Sequence, residues 1–176
     1  MRSYWNHISR YSGITSLDYH WLSDPQSLTK KIKTHCHQGF QVQLISQTWC
    51  SIYYDEATIL DLAPYQQALI REVILTCHNK PWVFARTVLP RQSLIGKTRQ
   101  LAYLKNKPLG EVLFSSPQTK RQLIEMTRLQ KKHPLFVKAS ACLVDKPDVL
   151  WGRRTLFYFA KQPLLVNEIF LPQCGQ

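Results

Sequence analysis

No run of apolar residues in this chain approaches the roughly 18 that a membrane span requires, so no integral membrane segment is expected. The first twenty residues scatter Arg2, His7, Arg10 and Asp18 among aromatics without a continuous apolar core, which argues against a secretory signal. Cysteine never occurs as a CxxC pair. The five cysteines, Cys36, Cys50, Cys77, Cys142 and Cys174, are odd in number and far apart, a pattern that suits a reducing cytoplasm better than a disulfide framework. His35-Cys36-His37 sets possible metal ligands side by side, but no second half matches it, and it reads as the end of a helix. Internal repeats and low-complexity segments are lacking. Acidic residues are scarce: 11 Asp and Glu against 23 Lys and Arg leave a net charge of +12, which favours anionic partners such as nucleic acid, anionic lipid or a small polyanionic substrate. The basic residues are nevertheless scattered. Their densest groups, Lys30-Lys31 with Lys33, Lys120-Arg121, Lys131-Lys132 and Arg153-Arg154, read as solvated surface, and there is neither a nucleic-acid module nor a concentrated basic stripe.

What is present is the composition of an ordinary soluble protein, 44% hydrophobic and 19% charged, in 176 residues that are expected to form one domain, 1–176. Residues 1–20 read as a loosely packed lead-in. Asp24-Pro25 resembles an N-cap with proline at the first helical position, and the spacing of Leu28 and Ile32 predicts an amphipathic helix over 25–37 that ends before Gly39. Phe40 onward alternates as a half-buried strand, which Trp49 to Tyr54 either prolongs or follows as a second strand. Residues 55–65 read as a loop with at most one helical turn. Two β-prone runs, 68–77 and 81–90, flank His78-Asn79-Lys80 as a hairpin, and 151–160 and 163–172 flank Lys161-Gln162 as another. Between them, 91–114 reads as a short helical excursion broken at Gly96, and 119–129 fits helix or strand equally.

Alternation places Arg71 on one face with Val73 and Leu75, and Glu168 on one face with Leu164, Val166 and Phe170. A guanidinium cannot shed its charge, so on an inward face it needs a carboxylate, an anionic ligand, or an exposed tip. Arg71 and Glu168 could therefore pair with each other as a buried ion pair, or hold a ligand between them with its anionic end on the arginine and a hydroxyl on the glutamate.

The strings Leu69-Ile-Arg-Glu-Val-Ile-Leu, Pro81-Trp with Ala85-Arg-Thr-Val, Lys107-Pro-Leu-Gly-Glu-Val-Leu-Phe, Leu150-Trp-Gly-Arg-Arg and Pro163-Leu-Leu-Val-Asn-Glu-Ile-Phe-Leu-Pro occur in the order found in one family. On these strings the chain resembles chorismate lyase, the chorismate pyruvate-lyase that makes 4-hydroxybenzoate for ubiquinone biosynthesis. The resemblance implies an α+β fold: a six-stranded antiparallel sheet with helices, its site buried beneath helical flaps at about 25–37 and 91–114. It implies substrate- and product-binding roles for Arg71 and Glu168, which would also be the catalytic residues, and for the main-chain groups of Leu28 and Leu109. In this chain the family's Ser-Met-Thr string reads Ser27-Leu28-Thr29. The segment 129–149, longer than in relatives, leaves the local topology and the access route open.

The implied reaction uses no metal and no cofactor. It takes chorismate to 4-hydroxybenzoate and pyruvate in the cytoplasm, in a monomer with no nucleic-acid partner. Arg86 and Arg153 are further candidates for the second carboxylate of chorismate, with a surface role as the alternative for each. Glu168 either accepts from the ring hydroxyl or acts as general base. A non-catalytic effector-sensing domain of the same fold class, as in some transcription regulators, is the rival reading, although no helix-turn-helix domain accompanies it; a basic nucleic-acid binder is a second.

Overall fold

The computed structural model describes residues 5–6 and 14–175. Six strands, β1 (Phe40–Ser51), β2 (Gln67–Cys77), β3 (Lys80–Pro90), β4 (Thr119–Gln130), β5 (Val149–Phe159) and β6 (Gln162–Phe170), form one antiparallel sheet in the order β1-β2-β3-β6-β5-β4. Both expected hairpins are present. Their two-residue loops, His78-Asn79 and Ala160-Lys161, hold positive φ at both positions, the left-handed geometry that matches the twist of paired strands. The stretch from Trp49 prolongs β1, and the ambiguous stretch from 119 is the strand β4.

Helices cover both faces, so nearly every residue of β2 and β3 is buried. On the first face lie α2 (Leu28–Cys36), the 3₁₀ segments Arg91–Ser93 and Gly96–Tyr103, and α4 (Leu109–Ser115). Helix α2 starts one turn later than Asp24-Pro25 suggests: Ser27 is its cap, its hydroxyl accepting from the Lys30 N–H, while Asp24 closes a local turn on the Gln26 N–H. Leu28, Ile32 and Cys36, four apart, form its buried stripe against Val73, Leu75 and Val83. Leu101, Leu104, Leu109 and Leu113 make a second core with Phe157, Leu164 and Val166.

The opposite face is covered by α3 (Tyr54–Ile59) and α5 (Pro134–Ala139). Helix α3 stands where a loop with at most one turn was expected. The segment 129–149 is not merely a longer loop: it carries α5, whose Leu135, Phe136 and Ala139 pack with Phe84, Ile169 and Leu171, and it leaves β4 and β5 as neighbours. Nor is the lead-in wholly loose. Trp5 is buried in the same core, its indole N–H donates to Asp55, and Asn6 pairs with Met126. Helix α1 (Ser16–Leu22) follows; the remainder of the lead-in, 1–4 and 7–13, lies outside the described residues.

One expectation is overturned. Cys36, at the end of α2, and Cys77, at the end of β2, are joined as a disulfide, while Cys50 and Cys142 are free. Distance along the chain concealed the pair, because a helix end and a strand end meet only once α2 lies on the sheet. The same bond removes Cys36 from any metal site with its flanking histidines.

Replacing both bridged cysteines with alanine, or reducing the bond, is expected to lower stability by about 2–4 kcal/mol in urea titration, as for closure of a long loop. A second expectation concerns His133, whose Nδ1 accepts from the Leu135 N–H and caps α5. Burial holds its pKa below the ordinary histidine value, so the folded state binds this proton less readily than the unfolded chain. The cap therefore contributes fully above about pH 6.5 and is lost as pH falls through the lower folded value. Between pH 7 and 5, wild type should lose about 1 kcal/mol more than His133→Asn, a cap that does not titrate.

Candidate active site beneath the helix starts

Arg71 projects from β2 onto the first face and is 2% exposed. Its Nη2 donates to the carbonyls of Lys105 (2.9 Å) and Lys107 (3.0 Å), in the segment that leads into α4, while its Nε is buried with no partner. No carboxylate of the described residues pairs with it. Burial pushes its pKa down to about 10, which still leaves it charged at neutral pH.

Glu168 projects from β6 onto the same face. In register it stands opposite Ala85 of β3 and Arg153 of β5, whereas Arg71 stands opposite Thr87. Arg71 and Glu168 are thus two strands and one step of alternation apart, roughly 12 Å between Cα atoms from ordinary strand spacing. They are not an ion pair with each other. Between them the floor is Ala85 and Thr87, two short side chains, which leaves width for a flat ring.

The partner of Glu168 is Arg153, whose Nε and Nη2 both donate to Oε2 at 2.8 and 2.7 Å. Arg153 Nη1 also donates to the carbonyl of Asp24 at 2.7 Å and, more weakly, to those of Leu22 and Trp21. From β4, Arg121 donates to the carbonyls of Pro25 and Gln26 and lies over the rings of Phe114 and Phe157. The chain leading into α2 is therefore held by Arg153 and Arg121, and the chain leading into α4 by Arg71.

Leu28 and Leu109 are the first residues of α2 and α4. Their N–H groups sit in first turns, where no carbonyl of the same helix can accept from them. The two helix starts abut: a Cβ on Gly110 would fall 2.7 Å from Thr29 Oγ1, so glycine is required after Leu109. On the outside Lys33 of α2 pairs with Glu111 of α4, an exposed contact of small energetic value.

The profile of the family described as Chorismate lyase matches residues 1–175. The chain belongs to the chorismate lyase family. It is 38% identical over 156 residues, 89% of this chain and 87% of the relative, to a probable chorismate pyruvate-lyase of Nitrosomonas eutropha. It is 41% identical over 152 residues, 86% and 84%, to one of Nitrosospira multiformis, and 35% identical over 168 residues, 96% and 90%, to one of Pseudomonas aeruginosa. Among solved structures it is similar in fold to PhnF of Mycobacterium smegmatis, with TM-score 0.62, 14% identity, and coverage of 87% of this chain and 67% of that one. It is also similar to the ligand-binding domain of a putative GntR-family transcriptional regulator of Bordetella bronchiseptica, with TM-score 0.54, 14% identity, and coverage of 77% and 87%. The chorismate lyase fold is thus also found in regulator domains.

The four residues carried over from the resemblance converge on one face: Arg71 and Glu168 from the sheet, Leu28 and Leu109 from the helix starts above it. Arg86 does not join them. It lies on the opposite face, 2% exposed, bound by Glu56 at 2.8 Å and Glu72 at 2.9 Å and stacked on Tyr53. Arg153 is in the site, but Glu168 and carbonyls already engage it. Sequence reasoning missed Arg121. Simple alternation groups it with Leu123 and Glu125, yet a bulge at Gln122 turns it toward Phe157 on the site face. An open cleft of about 670 Å³ lies elsewhere, outside α2, walled by residues including His20, Lys30, Lys31 and His35; its solvated groups match none of the family strings.

The pairing pattern sets an order of stabilities. Arg153→Met should cost about 3–5 kcal/mol, because it strands the Glu168 carboxylate. Arg71→Met strands no carboxylate and should cost under about 1.5 kcal/mol in the same urea titration. Equal losses would show that Arg71 is a structural half of a pair.

Proposed function

We propose that the chain is a chorismate pyruvate-lyase, converting chorismate to 4-hydroxybenzoate and pyruvate for ubiquinone biosynthesis, with its site at Arg71, Glu168, Leu28 and Leu109. The observation that carries this reading is a buried guanidinium with no carboxylate partner among the described residues, set across a floor of short side chains from a glutamate on the same face. Arg71 takes the ring carboxylate, with the first-turn N–H groups of Leu28 and Leu109 as further donors. Glu168 accepts from the ring hydroxyl through the oxygen that Arg153 leaves open.

In the reaction the ring carbon bearing the hydroxyl loses its hydrogen, the adjacent ring carbon loses its bond to the enolpyruvyl oxygen, and the ring becomes aromatic. The hydrogen passes to the enolpyruvyl methylene, which becomes the methyl group of pyruvate. Aromatisation makes the step downhill, so the protein's work is to bind the dianion, exclude water and hold the side chain over the departing hydrogen. Direct intramolecular transfer needs no base, and Glu168 then positions rather than abstracts.

The proposal extends to one domain over 1–176, a monomer without a nucleic-acid partner, and a reaction that uses no metal or cofactor. With it goes a cytoplasmic location, for which the free thiols of Cys50 and Cys142 speak and against which the Cys36–Cys77 bridge pulls. No helix among the described residues is long and apolar enough to cross a membrane. The sensor alternative draws on the likeness to regulator domains, at 14% identity a likeness of fold alone.

Purified protein incubated with chorismate and a chelator should release 4-hydroxybenzoate and pyruvate; binding of 4-hydroxybenzoate with no turnover would instead mark a sensor. Arg71→Ala should weaken 4-hydroxybenzoate by about a hundredfold, as for loss of a charge-assisted pair in a buried site. Glu168→Gln should retain turnover within about tenfold; a loss of about a hundredfold or more would make Glu168 the base. With a net charge of +12, kcat/KM should fall as ionic strength rises, while duplex and single-stranded nucleic acid bind weakly at physiological salt.

A further inference from the structure

Chorismate brings two carboxylates, and the assignment of Arg71 to the ring carboxylate leaves the enolpyruvyl carboxylate without a partner. The ether that carries it is attached beside the hydroxyl-bearing carbon, so this second charge arrives at the Glu168 end of the ring. One guanidinium, Arg153, is paired with Glu168 there, and a second, Arg121, reaches in from β4, its Cα in the Leu164 row two strands from β6. Arg153 is bound to Glu168 Oε2 through two N–H groups and to the Asp24 carbonyl through a third. Arg121 has no carboxylate within ion-pair distance among the described residues. Among those residues it donates to the neutral carbonyls of Pro25 and Gln26, and its Nε is buried with no partner. Phe114 and Phe157 hold the plane of its fork at 5.1 and 5.2 Å, a stacking that orients it without neutralising it.

Its presence on this face is a built feature. In β4, Arg121 pairs with Phe157 and Leu123 with Leu156, so Gln122 is an extra residue with no opposite number. Without that bulge Arg121 would share the face of Leu123 and Glu125. Burial, with the like charge of Arg153, holds the Arg121 guanidinium below its ordinary pKa, while Glu168 and Asp24 act in the opposite sense. Arg153, Glu168 and Asp24 thus all act on Arg121.

We propose that Arg121 is the specificity-determining residue that receives the enolpyruvyl carboxylate of the substrate, exchanging the Pro25 and Gln26 carbonyls for it. The inference rests on the chorismate reading of this site. It accounts for the two guanidiniums of the face that lack carboxylate partners among the described residues, Arg71 and Arg121, as one for each charge of a dianion. It also separates substrate from product: 4-hydroxybenzoate retains only the carboxylate that Arg71 holds, and Arg121 returns to its carbonyls when pyruvate departs.

The test compares two ligands on Arg121→Ala and Arg121→Lys: 4-hydroxybenzoate, with one carboxylate, and 3-(carboxymethoxy)-4-hydroxybenzoate, a stable ring with the second carboxylate on an ether arm. Arg121→Ala should weaken the two-carboxylate ligand by about tenfold or more and raise the KM for chorismate in proportion, with the Kd of 4-hydroxybenzoate within about twofold and kcat within about threefold. Arg121→Lys should recover part of the loss as a point charge without the fork. Should alanine fail to fold, Arg121→Gln carries the comparison. Equal weakening of both ligands would overturn the proposal in favour of a residue that only holds the 25–26 segment, and no change in either would show that the arm leaves by another side. If wild type binds 4-hydroxybenzoate and converts chorismate in either of those cases, only the Arg121 assignment fails; if wild type does neither, the reading of the whole site fails with it.

Discussion

Three guanidiniums on one face of the sheet hold main-chain carbonyls, and two of them have no carboxylate partner among the described residues. Arg71 reaches the carbonyls of Lys105 and Lys107, Arg121 those of Pro25 and Gln26, and Arg153 that of Asp24 in addition to Glu168. A carbonyl supplies the dipole of a hydrogen bond but no countercharge, so the cost of bringing Arg71, and in part the half-buried Arg121, out of water is only partly offset. On the proposed reading, this imbalance is what makes the face receptive to anions. It is tolerated because the disulfide and two apolar cores, around Ile32 and around Leu113, hold the helices down independently of the charges.

The opposite face solves the same problem differently. There Arg86 is matched by Glu56 and Glu72, Glu72 also by Lys138, and Arg154 by Glu125 and Asp55. Both faces hold arginine, but among the described residues only one leaves it without carboxylates. Buried charge alone would not distinguish a site from scaffolding here; the bookkeeping of partners does.

Much of this was legible in the sequence. Period-two alternation placed Arg71 and Glu168 on apolar faces, turn chemistry marked both hairpins, and helical spacing located α2. The ordered strings then joined the pieces into one family. What alternation could not report is which faces are covered: Ile70, Glu72, Ile74 and Thr76 carry polar residues as a solvated face would, yet α3 and α5 bury them. Pairings set by tertiary contact were equally hidden, among them Cys36 with Cys77 and Trp5 with Asp55. Helix α5 was overlooked because its six residues are too few to establish a period. Arg121 was read as solvated surface beside Lys120, and alternation would not have recovered it, since a bulge reverses the parity on which an inference from a strand depends.

That bulge also means that the face presented by Arg121 is set by the length of β4 rather than by any residue identity. Removing Gln122 would restore regular pairing and carry the guanidinium to the side of Glu125 with every contacting side chain still in the sequence. Among relatives, then, a one-residue deletion in this strand would be a larger change to the site than most substitutions within it, and an arginine aligned at this position need not do the same work where the strand is one residue shorter.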